Sequence, residues 1–150
     1  MKRYLLFFVF IIFTTVGWSQ TKEKTNFLVG LWQYCVLKQG EKGFQLVPLH
    51  IYKFIQSNGD VVVLNNLREN SVGYISTRAV SRIESDSVYI EHVVFNATDK
   101  SFEGKDIHIW YRYQANNKLL FVKYVFPEKN TQGEEIWRRI QEEEHRDINN

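Results

Sequence analysis

The feature that most limits how this chain can fold is apolar alternation in short runs, broken by polar turns. In the run 107–113, Ile107, Ile109, Tyr111 and Tyr113 share one side, while His108, Trp110 and Arg112 share the other. The next run places Leu120, Val122, Tyr124 and Phe126 on one side and Lys123 on the other. A period of two is the signature of a strand with one buried face, and a helix cannot use it. Ala115-Asn116-Asn117-Lys118 joins these two runs as a hairpin. The same logic marks strands at Val29–Lys38, Leu49–Gln56, Val61–Leu67, Val72–Arg82, Val88–Phe95 and Glu135–Ile140. Ser57-Asn58-Gly59-Asp60 is the strongest turn, because Asn-Gly tolerates the positive φ of tight hairpins. Pro48 falls at the mouth of the second run, where a missing amide hydrogen does least harm. The expected fold is all-β, an antiparallel barrel of about 8–9 strands, with a sandwich as the rival. Closure removes exposed strand edges.

The first residues follow a different pattern. Lys2 and Arg3 precede an uncharged, mostly apolar stretch from Tyr4 to Val16, then Gly17-Trp18-Ser19. That order is a secretory leader, and the apolar stretch is shorter than the ~20 residues of a membrane-spanning helix. The expected organisation is a signal peptide at 1–19, a barrel domain at 20–140 and a charged tail at 141–150. The protein is expected to be exported, periplasmic or extracellular, with no stable membrane anchor after cleavage. The only cysteine, Cys35, lies inside the barrel region, so it cannot be a lipid attachment site after the leader or form an internal disulfide. Its surroundings suit a small buried side chain. Without Lys2 and Arg3 the 19 basic residues fall to 17, matching the 17 acidic ones. A near-neutral chain gives no basic patch for nucleic acid.

Chemistry is sparse. His50, His92, His108 and His145 have neither triad nor metal spacing, and no serine lies in a nucleophile elbow. Neither metal nor cofactor is expected, haem included, and no catalytic residue is assigned. Glu91 stands in the apolar run 88–95. If Tyr89, Glu91, Val93 and Phe95 face inward, Glu91 is a buried carboxylate needing a partner, such as an arginine. If Val88, Ile90 and Val94 do, it is a surface residue. Aromatic residues make up 15% of the chain, and the inner faces are rich in them. The first functional reading is therefore a binding module. A small apolar or amphipathic ligand would lie among Tyr89, Glu91, Tyr111, Tyr124 and Phe126. The second reading is a structural or protein-interaction domain with a filled core. An enzyme ranks third, since no acid–base or nucleophile set appears. Oligomeric state stays open.

Two local patterns carry a resemblance. The first strand begins Leu28-Val29-Gly30-Leu31-Trp32, and the last reads Glu135-Ile136-Trp137-Arg138-Arg139. A Gly-x-Trp opening the first strand and an arginine near the end of the last resemble the lipocalins and wider calycins. That resemblance implies a barrel floor where the guanidinium covers the indole, with Gly30, Trp32, Trp137 and Arg139 closing the barrel. Alternation alone allows either arginine to point inward, Arg139 alongside Trp137 or Arg138 alongside Ile136 and Ile140; the family pattern favours Arg139. From Phe27 to Arg139 the chain also resembles the exported lipocalin-like proteins of Bacteroidetes grouped as the domain of unknown function DUF4488. The matching residues are Tyr52-Lys53-Phe54 before Ser57-Asn58-Gly59-Asp60, Ser87-Val88-Tyr89-x-Glu91, Trp110-Tyr111, Leu119 to Tyr124, and Glu135-x-Trp137-x-Arg139. Ser76 to Ile83 lacks the Gly-x-Tyr expected there, which leaves the register between 72 and 95 open. The resemblance implies a fold and brings no activity.

Overall fold

The computed structural model describes residues 27–41, 43–65, 72–114, 116, 118–126 and 131–141. The leader at 1–19 and nearly all of the tail at 141–150 lie outside them. Eight antiparallel strands close into one barrel in simple chain order: β1 (Gly30–Gly40), β2 (Gly43–Ile55), β3 (Asp60–Asn65), β4 (Tyr74–Ile83), β5 (Val88–Asn96), β6 (Asp106–Gln114), β7 (Leu119–Phe126) and β8 (Thr131–Arg139). Closure comes from β1 against β8, with Trp32 opposite Arg139 and Tyr34 opposite Trp137. The expected alternation holds in β6 and β7: Ile109, Tyr111, Leu120 and Val122 are buried, while His108, Trp110, Arg112 and Lys123 face out.

The first hairpin is longer than its apolar pattern indicates. β2 starts at Gly43 instead of Leu49, and pairs with β1 as far as Gly40 opposite Gly43. Pro48 therefore lies inside the strand, not at its mouth. It sits opposite Cys35, where the β1–β2 register shifts. A residue without an amide hydrogen is tolerated where the ladder is already irregular. Along β1, β8 pairs only from Trp32 to Cys35, and β3 pairs β2 only from Ile51 to Ile55. Among the described residues the outer part of this hairpin thus stands beyond the barrel wall, and its Leu37 and Phe44 are exposed.

The open register between 72 and 95 resolves through two bulges. Ser76 is the extra residue of β4 against β3, and Val94 is the extra residue of β5 against β4. Each bulge flips the alternation locally. Tyr89, Glu91 and Val93 consequently point inward, whereas Phe95, expected on their face, is exposed.

One end of the barrel is sealed. Trp32 is fully buried and its indole nitrogen donates to the Leu28 carbonyl at 2.8 Å. The Arg139 guanidinium lies 4.5 Å from the centre of the Trp32 ring and donates to the Phe27 carbonyl. A cation over an indole face is an electrostatic attraction that strengthens with desolvation. Phe27 stacks on Tyr113 at 5.3 Å, so the segment before β1 plugs the end. Gly30, at φ 141°, supports the Arg139 side chain: a Cβ there would lie 3.4 Å from Nη1. Arg138 points the other way, to Gln33 Oε1 at 2.9 Å. Above this floor, Ile55, Val61, Ala79, Tyr89, Tyr111 and Leu120 fill the lower half of the barrel.

Candidate functional site

At the opposite end the interior is not filled. A cavity of about 390 Å³ opens among the ends of β3, β5 and β7 and the starts of β4, β6 and β8. Its wall is apolar where Ile51, Val63, Ile107, Ile109 and Phe126 line it. The loop between β5 and β6 forms part of the rim. Asn96 Oδ1 accepts from the Thr98 and Asp99 amides, at 3.0 and 2.9 Å, which folds the loop back. A short 3-10 turn, Lys100–Phe102, then brings the Phe102 ring to 4.6 Å from that of Phe126.

Polar groups gather toward the base of this cup. Lys53 and Glu91 come from β2 and β5, which are not neighbours in the barrel, and meet across its interior. Lys53 Nζ lies 3.0 Å from Glu91 Oε1, and each side chain is 7% exposed. The same ammonium stands 5.0 Å from the centre of the Trp137 ring. Burial pulls the Lys53 ammonium down, and the charges of Glu91 and Glu135 with the Glu91 hydrogen bond push it back above its ordinary value. Each member of the pair replaces part of the solvation that the other loses on burial.

Glu135 is the second interior carboxylate. Its Oε1 accepts from the Tyr124 hydroxyl at 3.1 Å, and its Oε2 accepts from the Trp137 indole nitrogen at 2.8 Å. Burial first, and the Glu135 charge next, push the Tyr124 hydroxyl well above its ordinary range. Tyr34, inclined against Trp137 at 5.3 Å, is pushed up by the same two causes in the same order. Beneath the cup, Tyr89 is fully buried. Burial, then the charges of Glu91 and Glu135, raises its hydroxyl well above the usual tyrosine value.

The structure therefore divides the residues singled out from sequence. Glu91, Tyr124 and Phe126 line the cup. Tyr89 and Tyr111 belong to the packed lower half, their rings 5.6 Å apart. Gly30, Trp32 and Arg139 form the floor, but Trp137 lies higher in the wall and lines the cup. The partner of Glu91 is Lys53 rather than an arginine. Lys53 and Glu135 were not singled out as interior groups, although both stand in the motifs Tyr52-Lys53-Phe54 and Glu135-x-Trp137-x-Arg139. The available signal was period two: Lys53 lies two residues from Ile51 and Ile55, and Glu135 two residues from Trp137.

Other titratable groups pair on the outer wall. His92 Nδ1 is 2.7 Å from Asp106 Oδ1, and Arg82 donates to Asp106 Oδ2 at 2.9 Å. His108 Nδ1 lies 3.4 Å from Glu84. Among the described residues no group of three His, Cys, Asp or Glu could hold a metal ion. Cys35 is buried, and burial pushes its thiol up, away from a reactive thiolate. A larger and more open depression, about 690 Å³, crosses the outer wall beside Trp110, Phe121 and Ile136. Arg112, Lys123 and Glu134 line it, and Glu135 borders both this depression and the interior cavity.

Fold and interior together define an antiparallel eight-stranded barrel, sealed by an Arg–Trp floor and hollow at the other end. The chain matches the family model described as Domain of unknown function (DUF4488) over residues 27–147, and it belongs to that family. Among curated proteins none matches the sequence.

Proposed function

We propose that this protein is an exported, lipocalin-like binding module that holds one small amphipathic molecule in the cup of its barrel. The observation that carries this reading is the cavity itself. Its volume of about 390 Å³ exceeds the ~300 Å³ at which ligand pockets begin, while the lower half of the same barrel is packed. An apolar wall over a polar base suits a guest with an apolar tail and a polar head. The Lys53–Glu91 pair and Glu135 fix its orientation. Export is part of the proposal and rests on the leader pattern of residues 1–19, with Gln20 as the first residue of the mature chain.

The test is native mass spectrometry of the protein purified gently from the cells that make it. The expected spectrum shows a chain starting at Gln20 with one small molecule bound. A bare chain that also fails to take up any amphipathic molecule would favour the structural reading.

A further inference from the structure

We propose that the cup selects amphipathic ligands whose head is a cation, a protonated amine, over carboxylates carrying the same tail. The inference rests on the binding-module reading and adds the sign of the head group. Its first ground is formal charge. Among the described residues lining the cavity, the ionic side chains are Lys53, Glu91 and Glu135. Lys53 is matched to Glu91 at 3.0 Å. Glu135 is satisfied as a hydrogen-bond acceptor by Tyr124 and Trp137, but both donors are neutral. Neutral donors stabilise a carboxylate without cancelling its charge, so the cup holds one negative charge in excess.

The second ground is the lining. Tyr34, Tyr124 and Trp137 stand near that charge and Phe126 lines the same cup, and aromatic ring faces attract cations. Lys53 already uses the Trp137 ring in this way. An anionic head would meet Glu135 at close range with Lys53 already engaged, and a like-charge contact of that kind is how a site rejects the wrong guest.

Two further facts agree with a negative interior. The Tyr34 and Tyr124 hydroxyls are pushed up by burial and then by Glu135. The Tyr89 hydroxyl, fully buried beneath the cup, is pushed up by burial and then by the charges of Glu91 and Glu135.

The experiment uses three probes with one tail: octylamine, octanol and octanoate. Each is titrated at neutral pH against the protein loaded with the neutral fluorescent dye N-phenylnaphthylamine. Octylamine is expected to displace the dye at a concentration at least about tenfold below either of the others, the scale of one charge-assisted contact. Glu135→Gln is expected to lower octylamine affinity toward that of octanol. Glu134→Gln removes the same charge from a residue on the outer wall and is expected to leave octylamine binding as it was; circular dichroism confirms that both variants fold. Octanoate binding as well as octylamine, or better, overturns the inference and leaves the binding module standing. So does loss of amine preference in both variants alike. Failure of the dye and all three probes to bind saturably removes the cup as a site and the inference with it.

Discussion

Lys53 and Glu91 form a buried ion pair across the barrel interior. Two charges placed inside a barrel each lose several kcal/mol of solvation, and their mutual contact is the main offset to that loss. Removing one partner should therefore be worse than removing both. Lys53→Met is expected to lower unfolding free energy by about 3–5 kcal/mol, because Glu91 is left buried and alone. Lys53→Met combined with Glu91→Leu is expected to return stability to near or above that of the native sequence. Urea denaturation of the two variants checks both; a double variant as unstable as the sum of its single changes would contradict the pairing. Sequence alone left Glu91 undecided between core and surface. The undecided quantity was register, since one residue of slip moves a side chain through the wall. The bulge at Val94 shows why Phe95 misled: it shares a parity with Glu91, yet the bulge turns it outward.

At the scale of single elements, the turn between β2 and β3 shows how local chemistry sets pairing. The expected tight hairpin puts positive φ on both Asn58 and Gly59. Only Gly59 adopts it, at φ 92°. The Gly59 amide donates to the Gln56 carbonyl at 3.0 Å, and the Gln56 amide to the Asp60 carbonyl at 2.9 Å. Asn58 instead uses its side chain, Oδ1 accepting from the Asp60 amide at 3.0 Å. The turn is a bend closed by a left-handed glycine, the longer of the common hairpin loops. Gly59 also touches the neighbouring strand: a Cβ there would lie 2.7 Å from the Ser81 carbonyl oxygen, and the Ser81 amide donates to the Gly59 carbonyl at 2.7 Å. Gly59→Ala is thus strained by both conformation and contact, and should lower stability by about 1–3 kcal/mol. A thermal or urea midpoint unchanged by this substitution would refute that account of the turn. Elements of this kind were legible in sequence because turn residues carry their own conformational signal. The start of β2 was not legible, because Gly43 to Pro48 pairs along a hairpin that buries little apolar surface.

For the complete chain, the alternation and the order of turns implied an antiparallel barrel with a sandwich as the rival, and the family resemblance put Gly30, Trp32 and Arg139 at its floor. The filled and hollow halves were not legible. Which inward residues meet across a barrel depends on strand tilt and stagger, and a one-dimensional pattern carries neither. The interior makes a prediction about pH. Lys53, Tyr34, Tyr89 and Tyr124 all hold their protons to higher pH than in the unfolded chain. Above the ordinary tyrosine value of 10.0 and lysine value of 10.5, the unfolded chain releases protons that the barrel still binds. Stability must then fall as pH rises, while below those values the contribution is fully present. Urea midpoints measured from neutral to strongly alkaline pH are expected to stay level and then drop once pH passes the ordinary tyrosine range. A midpoint that is flat or rising there would contradict the buried, protonated state of these groups.

On the proposed reading, one half of this barrel is a binding cup and the other half a packed core. The most direct measurement is a fluorescence titration with N-phenylnaphthylamine, reading dye emission on excitation of tryptophan. Trp137 lines the cup, so a bound dye lies beside an excited indole. Saturation is expected at one dye per chain, with energy transfer that weakens in Trp137→Phe while dye binding is still seen by direct excitation. Emission that rises without saturating, or energy transfer unaffected by Trp137→Phe, would place the dye elsewhere and contradict the cup.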